Sequence, residues 1–122
     1  GVIIVFGVIS TSSAYTIDIG TSNAIGNYLV DEKGMTLYYF ANDQPKVTTC
    51  FDSCSITWPP FYAGSIDIPS DLKRGDFDQM SRADGRYQTT YKGMPLYLYS
   101  GDRNQGDING MGVSGRWFAV KP

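Results

Sequence analysis

An all-β domain follows from three observations on this 122-residue chain. Eleven of its twelve acidic residues are Asp and only Glu32 is Glu; Asp favours turns and caps where Glu favours helices. Nine Tyr, six Phe and fourteen Gly are the usage of strands joined by tight turns. A block of sequence also recurs once at a fixed spacing, reading strand, turn, strand in each copy. Together these predict a duplicated β-hairpin unit forming a small sandwich or barrel-like sheet, preceded by an extended apolar N-terminal strand.

The first element is that arm, residues 1–14. Val2, Ile3, Ile4, Val5, Phe6, Val8 and Ile9 form a nearly continuous apolar run, and no charge occurs before Asp18. The run is too short to span a bilayer, which takes about 20 residues. Its β-branched composition favours a strand, and a strand apolar on both faces belongs inside a sheet. Donation of this strand to a neighbouring subunit is the leading expectation. The tail of a secretory signal peptide, a strand folded back into its own domain and a membrane-anchored helix are the other readings.

The remainder, 15–122, reads as a single β-domain. Tyr15 to Ile19 alternates polar and apolar until Gly20, where the strand is expected to stop. Lys33-Gly34-Met35-Thr36-Leu37-Tyr38-Tyr39-Phe40 then aligns with Lys92-Gly93-Met94-Pro95-Leu96-Tyr97-Leu98-Tyr99, 59 residues later. Gly26-Asn27-Tyr28 matches Gly85-Arg86-Tyr87 at the same offset, so the copies span about 26–43 and 85–102. Two copies suit a pair of hairpins related by a pseudo-twofold axis. A Lys-Gly corner supplies positive φ for each turn, and Pro95, lacking an N–H, puts its strand at an edge or marks where it begins. Residues 116–120 form a closing strand, and a short helix is expected only around 69–74.

Each copy carries Tyr-x-aromatic-x-x-Asp: Tyr38, Phe40 and Asp43, then Tyr97, Tyr99 and Asp102. With Cys50-x-x-x-Cys54, Trp58-Pro59-Pro60 and Gly115-Arg116-Trp117-Phe118, the chain closely resembles the secreted-repeat lipoprotein family named for that motif. The resemblance covers about residues 23–122. It implies an exported cell-surface or envelope domain and no particular reaction, since the family has none established. No cysteine stands near the start of the sequence, so lipid anchoring is not carried over.

Physically, residues two apart in a strand share a face, so each Tyr and its aromatic partner point the same way. The Asp falls at the strand end, where its carboxylate can accept backbone N–H bonds and cap a turn. Asp43 and Asp102 as a symmetric carboxylate pair is the functional alternative.

Without a single His, triad hydrolases and imidazole metal sites are excluded. A net charge of −2 with scattered bases excludes a nucleic-acid partner. No acid stands in a context that raises its pKa and no nucleophile has a base beside it, so the chain is not expected to be an enzyme. Cys50 and Cys54 read as a disulfide; copper held by the thiols with Met35, Met80, Met94 or Met111 competes with it. Asp102, Asn104, Asp107 and Asn109 are a weak calcium candidate in a loop that fails the EF-hand pattern at Gly106 and Val113. Trp58, Phe61, Tyr62 and Trp117 could form a sugar platform but suit a core better. No resident cofactor is expected.

The predicted role is therefore an extracellular structural subunit. It assembles with itself into a filament or surface layer through residues Val2 to Ile9, an open head-to-tail homopolymer. The alternative is a monomeric cell-surface binding or redox-accessory domain with a metal or glycan ligand.

Overall fold

A computed structural model describes residues 15–122, and the chain is all-β in it. Among the described residues, seven short strands make three small antiparallel sheets. Strand β1 (Ile17–Ser22) pairs with β2 (Gly26–Asp31), and β3 (Tyr38–Phe40) pairs with the closing strand β7 (Trp117–Ala119). The third sheet has β5 (Tyr87–Tyr91) between β4 (Phe77–Ser81) and β6 (Met94–Pro95). Pro95 thus lies on an edge strand, where a missing N–H costs the ladder nothing.

The repeat region is continuous apolar sequence because it is buried on both faces. Leu37, Leu96 and Val120 pack with Ile17, Leu29 and Phe77 in one core. Tyr38 and Tyr97 face the other, with Tyr28, Val30, Trp58 and Trp117. Successive residues of a strand point to opposite faces, so a strand between two cores needs an apolar side chain at every position. At the second turn Lys92 (φ 49°) and Gly93 (φ 87°) are both left-handed, the geometry that lets a two-residue loop match strand twist.

Two expectations about elements are corrected. Gly20 does not end the first strand; β1 runs through it to Ser22. A Cβ there would sit 2.9 Å from Val30 Cγ1 and 3.0 Å from the Tyr28 ring, so glycine admits the neighbouring strand's side chains. The stretch 69–74 holds a turn and leads into a 3-10 segment at Arg74–Asp76. The α-helix, α1 (Ser53–Thr57), lies instead in the cysteine loop.

Candidate functional site

The two repeats close on each other through their motif residues. Tyr38 and Tyr97 exchange both backbone bonds, N–H to O at 2.8 and 2.9 Å, which places the pseudo-twofold axis between them. Their hydroxyls then cross over. Tyr38 donates to Oδ2 of Asp102 at 2.6 Å, and Tyr97 donates to Oδ2 of Asp43. Oδ1 of Asp43 accepts from Thr49 N–H, and Oδ1 of Asp102 from Asn109 N–H, both across the following loop. Each carboxylate therefore caps its own loop with one oxygen and anchors the other copy's tyrosine with the second. The turn-cap reading of Asp43 and Asp102 accounts for half of that arrangement.

Burial, with the neighbouring carboxylate next in weight, pushes both phenols above their ordinary pKa of 10.0. Burial also raises the Asp102 carboxyl, which corrects the expectation that no acid here is shifted upward. Tyr38 further accepts from Gly110 N–H at 3.2 Å. Thr48 lies 2.5 Å from the Tyr97 hydroxyl and, since the tyrosine proton goes to Asp43, donates to it.

Four aromatic rings run through the axis in one stack: Phe40, Trp117, Trp58 and Tyr99. Trp58 and Trp117 lie with centroids 3.8 Å apart and planes 1° apart. Phe40 stacks on Trp117 and Tyr99 on Trp58, each at 4.2 Å. The outer ring on either side thus comes from the opposite copy. Both tryptophans are buried, so they serve the core and offer no sugar platform. Phe61 is buried as well, while Tyr62 is exposed.

Cys50 and Cys54 form a disulfide, which removes the thiolates a copper site would need. It spans the turn from which α1 starts, with Asp52 at φ 54° making the corner. Buried Arg82 holds this loop to the second repeat: it donates to Cys50 O at 2.7 Å and to Gln88 Oε1 at 2.6 Å, and it pairs with Asp84. The Phe51 ring lies over its guanidinium carbon at 5.1 Å.

In the proposed calcium loop, Asp102 is turned to Tyr38 and Asn109. Asp107 Oδ2 accepts from the N–H groups of Arg103 and Asn104, bonds that hold its carboxyl below the usual range. The side-chain amide of Asn109 donates to Gly101 O at 3.3 Å. Among the described residues no group of three or more His, Cys, Asp or Glu side chains could hold a metal ion, and no helix is long and apolar enough to cross a membrane. The arm residues Val2, Ile3, Ile4, Val5, Phe6, Val8 and Ile9 lie outside the described residues.

A largely apolar groove of about 350 Å³ lies beside β7, with Tyr39, Met94, Leu96, Phe118 and Val120 among its walls. Sequence reading missed this groove, the Arg82 node and the pairing of Trp58 with Trp117. The tryptophans carry a signal that finds them: they stand at the same 59-residue offset as the tyrosines. Arg82, in a polar turn sequence, carries none.

A family model described as a secreted repeat of unknown function matches the chain twice, over residues 21–62 and 79–121. Each match holds one copy of the Tyr, Trp and Asp set. Comparison with curated proteins and with solved structures finds no match.

Proposed function

The chain belongs to this family of secreted repeats of unknown function, and on that footing we propose that it is a structural subunit at the cell surface. Copies join head to tail by donation of the N-terminal arm, giving a filament or surface layer. One observation carries the reading. Residues between Ile17 and Val120 build both cores and close the repeat pair, and ahead of them stand seven apolar side chains in an uncharged run. Burying seven such side chains is worth on the order of 10 kcal/mol before the costs of association.

The test is deletion of Gly1 to Ile9 from the full chain. Folded subunits that no longer polymerise are expected, read by light scattering and electron microscopy beside the intact protein. Filaments that persist unchanged without the arm would end the proposal.

A further inference from the structure

We infer that the groove beside β7 is the seat for the N-terminal arm of a second copy of this chain, with the backbone N–H of Ala119 as its first hydrogen-bonding rung. The inference rests on the assembly reading above and adds the acceptor to it. Three features converge on this place.

The first is the state of the β7 edge. In the β3–β7 register the bonded residues are Tyr39 with Phe118, so the N–H of Ala119 points away from β3. On that same side the Trp117 carbonyl already accepts from Gly112 N–H at 2.7 Å, so the ladder is left for a guest only from Ala119 onward. The partner of the Ala119 N–H is the thioether sulfur of Met111 at 3.2 Å, a weak acceptor on a long and flexible side chain. Met111 is partly exposed, and a carbonyl oxygen arriving from a paired strand is the better partner for that N–H.

The second is what the other copy has at the same place. Ala119 corresponds to Pro60 at the 59-residue offset, and Pro60 bridges to Tyr97 as Ala119 pairs with Tyr38. Proline has no N–H to offer, so the first copy's outer edge is blocked to an incoming strand. The pseudo-twofold symmetry is broken where an added strand would bind, and on one side only.

The third is the chemistry of groove and occupant. The walls are mostly apolar, Tyr39, Leu96, Phe118 and Val120 among them, with Lys92 and Lys121 also lining the groove and two methionines, Met94 and Met111, able to repack around a guest. The volume lies within the range of sites that bury a ligand. Residues 1–14, outside the described structure, carry no charge and supply Val, Ile and Phe side chains over Val2 to Ile9. Fourteen residues in extended form reach roughly 45 Å, enough to cross to a neighbouring subunit.

The experiment uses full-length chains, each with one added cysteine, since the two native cysteines are bonded to each other. Ile4→Cys chains are mixed with Met94→Cys chains, assembled, oxidised and run on a non-reducing gel. Tyr62→Cys, exposed and away from the groove, replaces Met94→Cys in a parallel mixture. The expected result is a crosslinked pair in the first mixture and at least ten times less of it in the second. Met94→Glu should also raise the concentration needed for assembly at least tenfold while the subunit stays folded. Assembly with no preference for Met94→Cys over Tyr62→Cys overturns the groove and leaves donation standing. Chains that stay monomeric and uncrosslinked overturn both readings.

Discussion

Trp58 and Trp117, 59 residues apart in sequence, lie face to face at 3.8 Å on the pseudo-twofold axis of the domain. Above and below them each outer ring belongs to the other copy, and so do the carboxylates that hold Tyr38 and Tyr97. The repeats are interleaved, and the most informative perturbations are those that break one crossing at a time.

Tyr38→Phe removes the donor to Asp102 and leaves its buried carboxylate one bond short. A loss of about 1–3 kcal/mol in urea unfolding is expected. Pairing it with Asp102→Asn should give a clearly non-additive double-mutant cycle, whereas Tyr38→Phe with Asp43→Asn should be closer to additive.

The same crossings predict alkaline behaviour. Tyr38 and Tyr97 have their folded pKa raised above 10.0, so the native state holds these protons more tightly than the unfolded chain. Their contribution to stability is full below about pH 10 and is lost as pH rises beyond it. Phenolate absorbance should therefore show two tyrosines ionising together with loss of tertiary structure. The double variant Tyr38→Phe, Tyr97→Phe should be less stable at neutral pH and show a shallower alkaline decline.

On the acid side the sign reverses. Arg82 and Arg86 hold Asp84 well below the usual carboxylate range, Lys46 lowers Asp78, and the Arg103 and Asn104 amides lower Asp107. Their stabilisation is present above the ordinary value of 3.8 and is lost as pH falls through the lowered values; Asp102, shifted upward, opposes them. The thermal midpoint should decline below about pH 4, and Asp84→Asn should flatten that decline.

Arg82→Met deletes the bonds to Cys50 O and Gln88 from the interior. A cost of about 3 kcal/mol is expected from those two buried partners, measured by denaturant unfolding. Amide exchange in the loop around Cys50 should speed up more than exchange in β1 and β2, which Arg82 does not touch.

Gly110→Ala would place a Cβ 2.8 Å from Trp58 Cη2 and from Cε1 and Cζ of Tyr38. Those rings are fixed by the stack and the Asp102 bond, so they have little room to yield. A cost of about 1–3 kcal/mol is expected in the same assay, with disturbed near-ultraviolet circular dichroism.

How far the sequence could be read depends on which physical rule sets each feature. The all-β class, the hairpin turns and the inward faces of Tyr38 and Tyr97 follow from period and turn chemistry, which are local. The partner of each hydroxyl is not local. Asp43 reads as the cap of its own turn, and nothing near it says that its other oxygen reaches Tyr97, 54 residues on. The equivalence of Trp58 and Trp117 escaped notice because their flanks diverged, Pro59-Pro60-Phe61 against Phe118-Ala119-Val120. The helix fell at Ser53–Thr57 because the disulfide and Asp52 shape that turn, a constraint that helix propensity does not measure.

The interleaving has a consequence for how such a chain arises. One copy offers a tyrosine, a tryptophan and an aspartate, yet the Tyr38–Asp102 and Tyr97–Asp43 bonds and the tryptophan stack each need the second copy. A lone copy could complete itself only as a twofold dimer, dissociating on dilution. Tethering two copies replaces that equilibrium with an effective concentration on the order of millimolar, independent of dilution. It also frees each half to mutate alone. In a true homodimer a proline that removes an N–H from one edge must appear on both; fusion lets Pro60 remove it on one side while Ala119 keeps it on the other. Such a molecule has a front and a back, which a chain of subunits growing in one direction requires.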